Sequence, residues 1–401
     1  MKVLQINSVS GYGSTGSICE EIAATLESEG HECYIAYGQL TASYKNNFKI
    51  GTKIENHLHN LGSRIIGKQG YFTKNGTIKL VTFIEKYKPD VIHLHNLHGN
   101  YLNLPILFSF LRNYQGKIVY TLHDCWAFTG KCAHYTSANC YKWQTECNAC
   151  PQVQKYPSSL FLDYSSEMFR DKKEWLTNLP NLEIITVSNW LESQVRQSFL
   201  KEKNIKTIYN WIDIEVFKPI KLEDNSFQKQ INTSKFTLLF VSAYWQKDDE
   251  KWLNLIQLAS NLSEEFQLII VGNIDKNCKI PKNVIPIGYI SSKQKMAELY
   301  NIADVYVHLS LEDTFGKVIA EALSCGTPVI VYNTTACPEI VGENCGYVVE
   351  KENISQMSES INRIKSNTKD YYSQNCISFV KCNFLKQPNI NKTINLYHST
   401  N

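Results

Sequence analysis

His308–Val341 reads HLSLEDTFGKVIAEALSCGTPVIVYNTTACPEIV and decides the fold. Val305 and Val307 end a buried strand, and a loop carries Glu312 and Asp313. Phe315 and Gly316 open a helix that holds Glu321, and Gly326-Thr327-Pro328 stops it. A second apolar strand, Val329 to Val331, leads to a loop with Pro338 and Glu339. A helix N-terminus has unpaired N–H groups and the positive end of the helix dipole, so it suits a phosphate, with nearby carboxylates left for sugar hydroxyls. The plainer reading is an ordinary βαβ unit whose acids are solvated, because helix N-termini attract acids in any case.

Working outward, the same alternation continues upstream. Strands are expected at Phe236 to Val241, Gln267 to Val271 and Val284 to Ile287, with helices near 251–261 and 292–301. An earlier series starts with a strand at Lys2 to Asn7, Gly11-Tyr12-Gly13-Ser14-Thr15-Gly16 and a helix over 17–29. That glycine run matches a dinucleotide fingerprint, but the next strand closes on Gly38-Gln39, with no acid placed to hold a ribose. Asp90 to His95 and Lys117 to His123 read as buried parallel strands that end on histidines, and strand carboxyl ends face the ligand crevice of such sheets. His123, beside Asp124, stands out among them. The polar stretch 221–235 reads as an interdomain linker or an adjoining surface loop.

A chain of 401 residues exceeds one usual core and implies two domains. A net charge of +3 is too mild for a nucleic-acid partner, and no run of about twenty apolar residues marks a membrane span. The start, MKVLQINSVSGYG, lacks a signal-peptide pattern, so a cytoplasmic location is expected. Thirteen cysteines then argue for thiols rather than a disulfide framework. Cys132, Cys140, Cys147 and Cys150 fall within nineteen positions, a spacing open to a structural zinc site, to free thiols under a loop, or to a redox C-x-x-C. Cys125 and His134 are substitute ligands for the zinc reading. The segment 45–88 is rich in Lys, which fits a solvated helical face or a surface meeting anionic headgroups at the inner membrane face.

In combination, these segments resemble a known family over almost the whole chain. They are Gly13-Ser14-Thr15-Gly16, HLHNLHGNYLN, TLHDCWAFTGKCAHY with the later cysteines, VSNWL, YNWIDIEVFKP, ADVYVHLSLEDTFGKVIAEALSCGTPVI and PEIV. The chain resembles a retaining glycosyltransferase of family 4, in the bacterial branch that builds capsule, O-antigen and other surface polysaccharides. The resemblance implies an α/β fold of two Rossmann-like domains facing a cleft (GT-B architecture), with a C-terminal helix crossing back to the first domain. The domains it implies are 1–217, for the acceptor, with a Cys-rich insertion at 125–151; 218–378, for a nucleotide diphosphate sugar donor; and a terminal helix, 379–401.

The implied chemistry is metal-independent transfer of a sugar, with retention, to a glycan or lipid-linked acceptor. Glu321 matches the second acid of the family's E-x7-E motif, on the nucleotide ribose. The first acid falls on Asp313, where the family has Glu, and Glu312 stands immediately before it. Phe315, Gly316, Lys317 and Val318 match the segment whose backbone meets sugar and diphosphate. His123 matches a histidine near the reacting carbon, and Gly13 and Gly16 match a loop near donor phosphate and acceptor. The family's cationic pair falls on Asp248 and Asp249, with Lys247 the nearest replacement and Lys251 and Lys317 further candidates. Two acids at that place would repel a diphosphate, which leaves a catalytically impaired, scaffolding subunit as the alternative.

Overall fold

The computed structural model describes residues 1–221, 226–227 and 229–398. The chain divides into two compact units, Met1–Ile208 with Ile390–Asn401, and Tyr209–Asn389.

The first unit is built on seven parallel strands: β1 Lys2–Asn7, β2 Glu32–Tyr37, β3 Asn47–Lys49, β4 Val91–Leu94, β5 Lys117–Leu122, β6 Leu182–Thr186 and β7 Asn204–Thr207. Their order is β3-β2-β1-β4-β5-β6-β7. The six helices of this stretch are α1 Gly13–Ser28, α2 Lys53–Ile66, α3 Lys74–Tyr87, α4 Leu104–Leu111, α5 Ser165–Thr177 and α6 Asn189–Val195. The central strands are buried on both faces, which is why β4 and β5 read as continuous apolar runs rather than alternating ones.

The second unit has six parallel strands: β8 Phe236–Trp245, β9 Phe266–Ile274, β10 Val284–Gly288, β11 Val305–His308, β12 Val329–Tyr332 and β13 Gly346–Val349. They run in the order β10-β9-β8-β11-β12-β13. Its helices are α7 Glu250–Asn261, α8 Lys293–Ile302, α9 Lys317–Ser324 and α10 Ile354–Asn383, the last broken by Thr368 at φ 64°. The final helix is α11 Lys386–His398. In both sheets the strand order reverses beside the first strand of the unit, the place where ligands sit in doubly wound folds.

The boundaries differ from the expected ones in two places. Tyr209–Phe217 belongs to the second unit, because Ile212 bridges Leu385 and the Phe217 carbonyl accepts the Ser324 hydroxyl at 2.5 Å. The stretch 221–235, expected as a linker or an adjoining surface loop, falls in this unit as the 218–378 bounds imply, with Phe227 and Ile231 buried; positions 222–225 and 228 lie outside the described residues. At the end of the chain, Phe379–Asn383 completes α10 rather than starting the terminal helix. From Ile390 the chain joins the first unit, as expected of the terminal helix, and the Tyr397 hydroxyl meets His93 Nδ1 at 2.7 Å.

Candidate functional site

In the second unit β11 delivers His308, and the loop after it returns so that Asp313 faces the same ring. His308 Nε2 lies 2.7 Å from Asp313 Oδ2, and His308 Nδ1 lies 2.8 Å from the Tyr306 hydroxyl. Burial works against a charged imidazole, yet Tyr306 and the Asp313 carboxylate raise His308 well above its ordinary value. The ring therefore favours its charged form, and its bond holds the carboxylate in one orientation. His308, Asp313 and Cys337 bring their ligand atoms within 4.8 Å of one another. Both His308 nitrogens are already engaged, so this cluster reads as a positioning device rather than a metal cage.

A cavity of about 290 Å³ opens beside this pair, lined by Ser242, Lys251, His308, Ser310, Asp313 and Val318 among others. Asp313 lines it and Glu312 does not, which separates the two candidate acids. The lysine inside it is Lys251, whose Nζ lies 2.9 Å from Ser242 Oγ. The lysine expected here is Lys247. Lys247 is exposed and does not line the cavity, and neither do Asp248 and Asp249. The reason is local: β8 shifts register between Val241 and Tyr244 and runs on to Trp245, and Asp249 becomes the N-cap of α7, so the first turn of that helix presents Lys251.

Gly316 caps α9 with φ 78° and ψ 53°, a left-handed conformation that suits glycine. Gly316 offers no capping side chain, and no acid sits in the first turn of the helix, the end that carries its positive dipole. Lys317 and Val318 start the helix, whereas the Phe315 side chain is buried against Phe384. Glu321 follows one turn later, 3.4 Å from the Tyr300 hydroxyl. Burial pushes its carboxyl up to about 7, although Lys317 and Lys293 pull it down.

The first unit carries a second constellation at the ends of β4 and β5. Gln5 Nε2 donates to the Cys19 carbonyl at 2.8 Å, which leaves Gln5 Oε1 to accept from His95 Nε2 at 3.2 Å. His95 Nδ1 then accepts from His123 Nε2 at 3.1 Å. This network assigns His123 a proton on Nε2 and makes its Nδ1 the acceptor. Burial lowers His123 to about 4, with His98 adding to that and Asp124 opposing it, so the ring is neutral at pH 7. Asp124 pairs with His98 Nε2 at 2.8 Å, because adjacent side chains at a strand end diverge. Gly13 starts α1 with φ 62° and open space at its missing side chain. A Cβ at Gly16 would come 3.0 Å from the Gly11 amide nitrogen, so Gly16 serves the tight turn.

His308, Tyr300, Lys293 and the Gln5–His95 pair escaped sequence reading. A pair five positions apart across a loop, or three residues from separate strands, leaves no periodic signal.

With this geometry in view, two family models match. Residues 15–216 match glycosyltransferase family 4, and residues 222–377 match glycosyl transferases group 1. The chain belongs to glycosyltransferase family 4. Over 276 residues it is 26% identical to the Escherichia coli putative colanic acid biosynthesis glycosyl transferase WcaC, a match spanning 67% of this chain and 66% of that one. It is 25% identical over 186 residues (44% of this chain and 49% of that one) to a Campylobacter jejuni enzyme, N,N'-diacetylbacillosaminyl-diphospho-undecaprenol alpha-1,3-N-acetylgalactosaminyltransferase. Among solved structures, Anabaena HepE in complex with UDP and glucose superposes with a TM-score of 0.69 at 16% identity, covering 100% of both chains. That likeness confirms the fold expected from the family resemblance.

Proposed function

We propose that this family 4 enzyme transfers a sugar, with retention, from a nucleotide diphosphate sugar to a lipid-linked glycan acceptor in surface-polysaccharide assembly. One observation carries the reading: Asp313, Lys251 and Val318, in the first turn of α9, line a single cavity, with Glu321 one turn further along that helix. In this reading Glu321 accepts hydrogen bonds from the ribose, and Asp313, locked by His308, accepts from the donor sugar. The α9 N-terminus, Lys251 and Lys317 carry the diphosphate charge. His123 keeps the role that the resemblance implies, near the reacting carbon.

In the reaction the bond between the anomeric carbon and the diphosphate oxygen breaks. The acceptor oxygen bonds to that carbon on the same face, and its proton passes to the leaving diphosphate. Helix N–H groups and ammonium groups supply the positive field, so no step requires a metal. The WcaC and Campylobacter relatives support the polysaccharide setting and the lipid-linked acceptor. Lys251→Ala is expected to weaken donor binding about tenfold, the effect of one hydrogen-bonded charge, while Lys247→Ala leaves it unchanged. Calorimetry with the two variants checks this, and equal losses would contradict the placement of Lys251.

Membrane contact also belongs to this reading. Helix α2 is amphipathic with its polar side buried: Asn56 donates to the Gly38 carbonyl, and His59 and Ser63 are buried with it. Its apolar side faces out, with Ile54 72%, Leu58 58%, Leu61 51% and Ile65 43% exposed. Leu160, Phe161 and Leu162 are exposed nearby, where the Leu160 N–H meets the Arg64 carbonyl. Lys53, Arg64 and Lys68 lie along the same segment. No helix among the described residues is long and apolar enough to cross a membrane. An apolar stripe with basic flanks lies in the plane of an anionic bilayer instead. A pocket of about 660 Å³ beside α2, lined by Lys49, Lys53, Asn60, Asn100 and Tyr156, then opens next to the lipid surface for the acceptor. Leu58→Glu with Leu61→Glu should reduce co-sedimentation with phosphatidylglycerol vesicles about tenfold or more. Binding by the parent chain should fall with salt; equal binding by parent and variant would remove the surface.

A further inference from the structure

The segment between β5 and α5 has little regular structure, only two short turns at Thr136–Ala138 and Lys142–Gln144. Such a segment needs something other than a backbone ladder to hold it. Cys132, Cys140, Cys147 and Cys150 all line one small cavity of about 20 Å³, room for a single ion or water. All four are free thiols. Cys132 Sγ and Cys150 Sγ are 3.9 Å apart. A tetrahedron with metal–sulfur bonds of about 2.3 Å has an edge of roughly 3.8 Å, so this pair already stands as two ligands of one ion. No three of the four sulfurs lie within 4.8 Å of one another among the described residues, so Cys140 and Cys147 close inward on binding.

Two further observations point to negative charge in that cavity. The Gly130 N–H donates to Cys147 Sγ at 3.1 Å, a contact of the kind that surrounds metal thiolates. Lys131 and Lys172 are both buried, at 3% and 2% exposure, and among the described residues neither forms an ion pair with a carboxylate. Their ammonium groups sit on carbonyls: Lys131 on those of Gln152, Val153 and Lys155, and Lys172 on that of Trp126 at 2.6 Å. Burying two ammonium groups without an ion-pair partner is costly. Four thiolates around a divalent ion carry a net charge of −2, which adds to the field of Asp163 at Lys131 and of Asp124 at Lys172.

We propose that Cys132, Cys140, Cys147 and Cys150 bind one zinc ion in a closed, structural site whose charge Lys131 and Lys172 balance. Four protein ligands leave no open position, so the ion pins the segment and takes no part in transfer. What it pins is Tyr156, whose hydroxyl lies 2.9 Å from His98 Nδ1 and which lines the pocket beside α2. Zinc therefore fixes one wall of that pocket.

Metal analysis of the full chain, purified under reductant and without chelator, decides this. The expected result is about one zinc per chain. Reconstitution of stripped protein with cobalt should give the intense visible bands of a tetrahedral thiolate complex. Cys140→Ser and Cys147→Ser should each lower zinc content to less than about half an equivalent, whereas Cys382→Ser, on the exposed end of α10, leaves it unchanged. Should those variants fail to fold, the parent chain still answers. Less than about half an equivalent of zinc, with no cobalt thiolate bands, overturns the site. So does peptide mapping that finds a Cys132–Cys150 disulfide in the native protein.

Discussion

Asp313→Asn lowers turnover about 10²- to 10³-fold while donor affinity changes by less than about tenfold. The split follows from where charge develops. In the proposed reaction the anomeric carbon becomes cationic as it loses the diphosphate, and a fixed carboxylate on the hydroxyls of the same sugar is worth most at that moment. Asp313 is fixed from two sides, by His308 Nε2 at 2.7 Å and through its own N–H to Thr335 Oγ1 at 3.1 Å. The amide keeps the shape and removes the charge. It also strips His308 of the carboxylate that opposes burial, so the His308 pKa falls in the variant. Steady-state kinetics combined with calorimetry checks both halves. A kcat within about threefold of the parent would remove Asp313 from the transition state.

Glu321→Gln weakens nucleotide-sugar binding about 10- to 100-fold, the equivalent of about 1.5–3 kcal/mol for hydrogen bonds to a charged group. It also abolishes the pH dependence of that binding. Burial raises the Glu321 carboxyl from 4.5 to about 7, so in the donor-free protein it is protonated below neutrality. Ribose hydroxyls donate to the carboxylate form. Affinity of the parent chain should therefore fall as pH drops below about 7, and binding should release a proton there. The stability contribution has the opposite sense. Between 4.5 and about 7 the folded chain holds more protons at this group than the unfolded one. Its stability is greatest below that window and declines as pH rises through it. Calorimetry in buffers of different ionisation heat reads the released proton directly; a parent chain that releases none would contradict the ribose contact.

The sequence made the fold legible where burial is complete. β11 and β12 are apolar because both faces are covered, and Gly316 and Gly326 bound α9 because each adopts a positive φ. Asp313 and Glu321 were placed through the resemblance to the family's E-x7-E motif along that one strand–helix unit. Lys251 stood only as one candidate cation among three, since its place depends on the register shift in β8, and a slip of a few positions separates it from Lys247. His308 was quoted as a strand end without a role, because its pairing needs the loop to return on itself. The outward-facing stripe of α2 was hidden for another reason: apolar periodicity marks a face but does not say which way it points. That region was read from its lysines alone, and the burial of Asn56, His59 and Ser63 reverses the usual arrangement.

The central claim is sugar transfer at the Asp313–Glu321 site. It is tested most directly by incubating the purified chain with a panel of nucleotide diphosphate sugars and a cell-derived pool of lipid-linked acceptors, then weighing the products by mass spectrometry. The account predicts that a donor adds one sugar to an acceptor with its anomeric configuration retained, and that Asp313→Asn and Glu321→Gln lose most of that product. A folded chain that adds no sugar from any donor and binds none, or variants that make as much product as the parent, would contradict it.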